Sequence, residues 1–167
     1  LPTGPADDGE VEDYQLTIHS HVVSRHVFYN RSAWDGDNAA ANAVDDNAIA
    51  SDKVALLPGG TATFANYTSY DQGTNGLMID VQYMSGTPTV DDFLFRVGNS
   101  DTPYGTDPHS PADDWPWAPA PTSITVRPGA GLDGADRVTL IWADGAIRNR
   151  WLQVTLLATD NTGLATK

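Results

Sequence analysis

The chain has no cysteine, only two lysines (Lys53 and Lys167) and only two glutamates (Glu10 and Glu12) among its 167 residues. Without cysteine, a disulfide scaffold, a thiolate metal site and a cysteine nucleophile are all excluded. No apolar run approaches the roughly 18 residues that a membrane helix needs, so we expect no membrane partner. No signal peptide opens the sequence, and we expect any secretion signal to lie upstream of it.

The charge of the chain is strongly acidic. Twenty-two acidic residues against nine basic ones give a formal net charge of −13. Repulsion from phosphates disfavours nucleic acid and anionic lipid as partners. Nearly all the acids are aspartate, which favours turns, helix caps and metal loops built from oxygen ligands. The acidic loops therefore keep the surface soluble, bind calcium, or do both.

Apolar and polar residues alternate with period two in short segments, which clusters of Gly, Pro, Asn and Asp separate. With the length, this pattern predicts one all-β domain: a jelly-roll-like β-sandwich of about eight antiparallel strands, with short helical turns in its loops. Residues 39–56 favour one or two such turns over a long helix, because Asp and Asn oppose the alanines there. The predicted strands are Gln15–His19, Val22–Asn30, Thr61–Asn66, Leu77–Met84, Phe93–Gly98, Ser123–Arg127, Val138–Ala143 and Trp151–Ala158.

The stretch FYNRSAWDGDNAAANAVDDNAIASDK (28–53) places acidic and amide side chains around an alanine-rich run. Calcium takes about six to eight oxygen ligands, which Asp, Asn and backbone carbonyls supply; the spacing is not that of an EF-hand. We predict a structural calcium site that fixes the loop carrying Trp34, with Asp133 and Asp136 as a weaker second position. The candidate ligands are Asp35, Asp37, Asn38, Asp45, Asp46 and Asp52. The alternative is that these residues are N-caps and turn residues beside a short helix.

The segment DTPYGTDPHSPADDWPWAPAP (101–121) has six prolines among its 21 residues, so it is a loop rather than a central strand. Sugar rings present apolar C–H faces, and exposed aromatic rings beside polar side chains suit them. Because exposed rings cost solubility, aromatic clusters in loops indicate a binding surface. The predicted carbohydrate-binding residues are Trp34, Tyr104, Asp113, Asp114, Trp115 and Trp117. The alternative is that Trp115 and Trp117 pack over one end of the fold; Trp142 and Trp151 lie on predicted strands and are expected in the core.

The string GEVEDYQLTI (9–18) resembles the closing strand of the GEVED-type domain of secreted, multi-module bacterial proteins. The strings HVFYNRSAWDGDN, ANYTSYDQGTNGLMIDV, FLFRVGN and DRVTLIWADGAIRNRWLQVTLLAT resemble a module of large secreted proteins from planctomycete-like and other environmental bacteria. The resemblance divides the chain into residues 1–18, the tail of a preceding module or an N-terminal strand, and one β-sandwich module, 19–167. It implies a secreted, extracellular accessory module comparable to jelly-roll carbohydrate-binding modules, with other modules of the same polypeptide as neighbours and no assigned binding residues.

No nucleophile elbow, zinc-protease motif or phosphate loop occurs in the chain, so we expect no enzyme activity. The leading hypothesis is a monomeric, non-catalytic module that binds polysaccharide and is stabilised by calcium. The alternative is a structural or adhesive spacer without a sugar ligand. A third possibility is a small glycosidase using the pairs Asp91/Asp92 or Asp113/Asp114. We interpret His19, His21 and His26 as surface histidines rather than a transition-metal site.

Overall fold

The computed structural model describes residues 18–99 and 115–165 of the chain. Within these residues the fold is all-β, with antiparallel sheets and only short 3₁₀ turns as helical structure. The strands are β1 (His21–Val27), β2 (Gly76–Gln82), β3 (Phe93–Gly98), β4 (Ser123–Arg127), β5 (Asp136–Ile141) and β6 (Trp151–Leu156). The 3₁₀ helices are Ala43–Ala48, Phe64–Asn66, Val90–Asp92 and Leu132–Gly134.

The strands form one four-stranded sheet in the order β1-β2-β5-β4 and one two-stranded sheet of β3 and β6. Each pair of neighbouring strands is antiparallel. Strand β5 lies between β2 and β4, and its residues 137–141 are all buried. Its run of Val, Thr, Leu and Ile suits this position, because β-branched and large apolar side chains pack well on a pleated surface with neighbours on both sides.

Both sheets contribute to the main hydrophobic core. The ring of Phe95 on β3 meets the ring of Trp142 edge-on at 5.5 Å, and each buried large apolar side chain stabilises the fold by about 1.5–3 kcal/mol. The alternation of β2 and β5 places Ile79, Val81, Val138 and Leu140 in this core. Met78 and Ile141 instead pack in a second cluster with Phe28 and Ala48. The four-stranded sheet is therefore covered on both faces: the main core lies on one face, and the loop after β1 packs on the other.

Six strands occur in the described residues instead of the predicted eight. The predictions for Phe93–Gly98 and Ser123–Arg127 match the observed bounds, and four others overlap an observed strand. The prediction for Thr61–Asn66 is wrong, because a 3₁₀ turn forms there: Asn66 accepts a hydrogen bond from the backbone N–H of Thr63 at 2.7 Å and bends the chain. Most of the predicted strand 15–19 lies outside the described residues.

The expected short helical turn between residues 39 and 56 is confirmed as the 3₁₀ helix Ala43–Ala48. Asn42 caps it, because its side-chain oxygen accepts a hydrogen bond from the N–H of Val44 at 2.7 Å. Trp142 is buried as expected, whereas Trp151 is only half-buried. No helix in residues 18–99 or 115–165 has the length and apolar character needed to cross a bilayer.

Candidate functional site

The connection between β1 and β2 forms the candidate site, and its first part folds back onto the end of β1. Phe28 and Ile49 form an isolated antiparallel bridge. The backbone of Tyr29 donates to Ala48 at 3.1 Å, and that of Ala50 donates to Val27 at 3.0 Å. Because Ala48 also packs in the second apolar cluster, residues 48–50 are held against the sheet and give the loop a fixed base.

An open cleft of about 260 Å³ lies between this base and the turn that follows β1. Its lining consists of Tyr29, Trp34 and the segment from Asn47 to Asp52; we call this the aromatic cleft. The side chain of Trp34 is 63% exposed, and those of Asn47, Ser51 and Asp52 are also exposed. The cleft thus joins an accessible indole with amide, hydroxyl and carboxylate groups.

Ring contacts and hydrogen bonds hold the inner wall of the aromatic cleft, which Tyr29 forms. The ring of Tyr29 lies 6.1 Å from that of Trp34 and 4.7 Å from that of Tyr70. The Tyr29 hydroxyl accepts a hydrogen bond from Thr68 at 3.0 Å, and the Tyr70 hydroxyl donates to the carbonyl of Asn30 at 3.0 Å. The wall is therefore tied to two parts of the loop, and Trp34 is its exposed end.

Two of the predicted calcium ligands, Asp35 and Asp45, are buried and close enough to repel each other. The Oδ2 of Asp35 accepts the backbone N–H of Arg31 at 2.6 Å, and the Oδ2 of Asp45 accepts that of Asn42 at 2.8 Å. Burial raises the pKa of Asp45, and the charge of Asp35 acts in the same direction, against the hydrogen bond from Asn42. Each carboxylate is thus oriented by its backbone but not neutralised by it.

Asp46, the next residue, belongs to an ion-pair network on the sheet. Both of its oxygens accept hydrogen bonds from Arg127, and Arg137 approaches it at 3.0 Å. Arg137 also binds the buried carboxylate of Asp80 with two hydrogen bonds of 2.7 and 2.8 Å. Burial acts to raise the pKa of Asp46, but the hydrogen bonds from the two arginines outweigh it and lower that pKa. Asp46 therefore anchors the 3₁₀ helix to β4 and β5.

The remaining predicted ligands lie on the surface. Asp52 pairs with Lys53 at 3.0 Å and lines the aromatic cleft. Asp37 is exposed in the left-handed region at φ 57°, and the side chain of Asn38 accepts the N–H of Ala40 at 2.8 Å. These contacts match the turn interpretation. At the second predicted position, Asp136 accepts the N–H of Gly129 at 2.9 Å, which is also a turn contact.

Trp115 and Trp117, two of the predicted sugar-binding residues, differ in how far they are buried. Trp115 is only 5% exposed, and its ring fills the space that a side chain on Gly98 would need, so it packs as the alternative interpretation expected. Trp117 is 58% exposed, with the guanidinium of Arg96 at 4.2 Å from its ring centre. Tyr104, Asp113 and Asp114 lie outside the described residues.

Sequence reasoning missed Tyr29, Tyr70 and Ser51 as parts of a site. Tyr29 falls within the predicted strand Val22–Asn30, and Tyr70 stands in a polar segment without periodicity. In the described residues no three histidine, aspartate or glutamate side chains converge as a metal site, so any cation site there must also use amide, carbonyl or water oxygens. Comparison with known proteins found no family model, no curated protein and no solved structure that matches the chain.

Proposed function

We propose that the chain is a non-catalytic carbohydrate-binding module, a jelly-roll-like β-sandwich of a secreted multi-modular protein, which binds polysaccharide in the aromatic cleft. The observation that supports this most is the exposed indole of Trp34 beside the polar side chains of the cleft. An exposed tryptophan costs solubility, and a ligand with an apolar face offsets that cost. The module acts as a monomer, with other modules of its polypeptide as neighbours.

In this proposal the indole of Trp34 stacks on the C–H face of a sugar ring. Asn47, Ser51 and Asp52 exchange hydrogen bonds with the sugar hydroxyls, because together they offer both donors and acceptors. The cleft volume of about 260 Å³ is below the roughly 300–1,000 Å³ of sites that enclose a whole ligand. An open cleft of this size suits a short stretch of a long chain, and binding makes or breaks no covalent bond.

The fixed inner wall favours binding. Tyr29 is held by Thr68 and Tyr70 before any ligand arrives. Little side-chain freedom is then lost in ordering this wall on association, which otherwise costs about 0.5–1.5 kcal/mol for each immobilised side chain. Only the exposed ring of Trp34 and the polar side chains opposite it need to adjust.

Affinity electrophoresis in gels that contain one soluble polysaccharide each tests this function. We expect the wild type to be retarded by at least one glycan, and Trp34→Ala to lose about 10-fold or more in affinity. Tyr83→Ala is the matched control, because Tyr83 is a similarly exposed ring (58%) outside the cleft. Trp117→Ala tests the other exposed tryptophan. If Trp117→Ala abolishes retention while Trp34→Ala binds normally, the aromatic cleft is not the site.

A structural or adhesive spacer is the second candidate, and a specific observation favours it. The loop that follows the aromatic cleft exposes several apolar side chains: Val54, Leu57, Phe64 and Tyr67, each at least 50% exposed. Such a group suits contact with a neighbouring module. Absence of retention on every glycan, with a folded wild type, would favour the spacer.

A further inference from the structure

We propose that Asp35 and Asp45, together with Asn30, bind one calcium ion inside the loop that carries Trp34. This site does not depend on polysaccharide binding. It also differs from the set predicted from the sequence, because it leaves out the surface residues and Asp46 and adds an asparagine that precedes them. The ion would be held by side-chain oxygens that have no other partner in the part of the chain that the structure describes.

Three buried oxygen atoms carry the inference. Asn30, Asp35 and Asp45 are each at most 2% exposed. Their Oδ1 atoms have no hydrogen-bond partner among residues 18–99 and 115–165. Buried polar atoms are nearly always paired, because an unpaired acceptor loses the hydrogen bonds of water without replacement. Asp35 and Asp45 are close enough for their charges to interact, and Asn30 precedes Arg31, whose backbone N–H binds Asp35. Three such acceptors in one loop indicate a ligand that accepts electron pairs.

The charge balance identifies that ligand as a cation. Within the described part of the chain, no arginine or lysine forms an ion pair with Asp35 or Asp45. Arg31 pairs instead with Asp144 at 3.0 Å, and the terminal nitrogens of Arg127 bind Asp46. Arg127 acts on Asp45 only through its charge and without an ion pair. Two neighbouring buried carboxylates without a direct cationic partner among the described residues are costly, and a metal ion is one of the few ways in which proteins keep them ionised.

The ligand chemistry selects calcium. Carboxylate and amide oxygens are hard ligands, which suit calcium and magnesium rather than zinc or copper. Magnesium demands near-ideal octahedral geometry, whereas calcium accepts irregular sets completed by carbonyls and water. The ligands here come from a turn and from a capped 3₁₀ helix, which form an irregular set. Calcium is therefore the ion that this loop fits.

Because of where these three residues lie, a bound ion would affect the structure of the aromatic cleft. Asn30 and Asp35 flank the turn that carries Trp34, whereas Asp45 lies in the helix that leads to Asn47 and the opposite side of the aromatic cleft. One ion between them would link the two sides of the cleft. Calcium would then set the separation of the indole from the polar groups.

Isothermal titration of calcium chloride into the EGTA-treated full chain, with thermal unfolding alongside, tests the site. For the wild type we expect one binding event and, at about 100-fold excess over Kd, a rise in Tm of roughly 5–10 °C. We expect Asp45→Asn to weaken calcium binding by about 100-fold, because it removes a charged ligand. Asp37→Asn is the matched control, since Asp37 is an exposed aspartate of the same loop, and it should bind like the wild type.

Three outcomes would overturn the inference. A wild type with neither binding heat nor a Tm shift excludes the site, and this result needs no variant. Equal losses in Asp37→Asn and Asp45→Asn would place the ion elsewhere in the loop. Magnesium binding as tight as calcium would exclude a calcium site. Polysaccharide retention in EGTA, with no calcium binding, would remove this inference while leaving the proposed function intact.

Discussion

Asp45 and Asp46 are consecutive residues of one 3₁₀ helix, yet their carboxylates lie in opposite electrostatic environments. Asp46 points to two arginines of the sheet, whereas Asp45 is enclosed near Asp35 and has one oxygen with no hydrogen-bond partner among the described residues. Burial acts to raise both pKa values; the arginines nevertheless lower that of Asp46, while that of Asp45 stays raised. The comparison shows that neighbouring aspartates of one helix can have opposite pKa shifts, depending on which partners the sheet offers.

The largest loss of stability is expected at Asp80, the most buried carboxylate of the ion-pair network that Arg137 and Asp46 share. Asp80 is fully buried and takes two hydrogen bonds from Arg137. Asp80→Asn should lower the free energy of unfolding by about 3–5 kcal/mol, because it leaves the arginine charge without its main partner. Urea unfolding at pH 7 measures the change, with Asp91→Asn as the control because Asp91 is exposed. A loss below about 1 kcal/mol would mean that the network contributes little to stability.

Acid should weaken the same network. Burial acts to raise the pKa of Asp80, but hydrogen bonds from Arg137 and from the Leu132 N–H outweigh it and lower that pKa. Because the folded pKa lies below the unfolded value of about 3.9, the stabilisation is complete above that value and is lost as the pH falls through the folded pKa. Urea unfolding at a series of pH values from 7 downwards should show this loss in the wild type. If Asp80→Asn shows the same acid dependence as the wild type, Asp80 is not its source.

A smaller loss of stability is expected when Asp46 is replaced. Its carboxylate is partly exposed, and two arginines share it. Asp46→Asn should cost about 1–2 kcal/mol, since charge-assisted hydrogen bonds contribute more than neutral ones but are weakened by solvent here. Urea unfolding of the variant, compared with exposed Asp71→Asn, measures it. A cost as large as that of Asp80→Asn would show that solvent does not screen the outer end of the network.

Much of the fold was predictable from local patterns. Strands β3 and β4 follow alternation and β-branched content closely enough that their bounds match the prediction. The segment 61–66 has the same kind of composition but turns, because the side chain of Asn66 binds the backbone of Thr63. Such a competing side-chain hydrogen bond leaves no signal in the period of the sequence.

The candidate site was predictable only in part, because roles there are set by residues far away in the chain. Trp34 and Trp115 both stand beside aspartates in loops, yet only Trp115 has a glycine on a neighbouring strand, Gly98, that leaves room for its ring. Asp45 and Asp46 differ in the same way, since Arg127 reaches only one of them with hydrogen bonds. The composition of the sequence therefore identifies the loop, but tertiary packing decides which of its side chains are buried, exposed or paired.

The smallest change in stability is expected at Asp45 in metal-free buffer. Asp45→Asn removes one of two buried like charges and so relieves their repulsion, and the free energy of unfolding of the variant should be within about 0.5 kcal/mol of the wild-type value or above it. Urea unfolding in EGTA measures this, and adding calcium should then stabilise the wild type only. A double-mutant cycle with Asp35→Asn isolates the repulsion: either substitution alone should relieve it, and the second should add nothing further. A metal-free loss above about 2 kcal/mol for Asp45→Asn would contradict this expectation, since it would mean that a protein group already stabilises that charge.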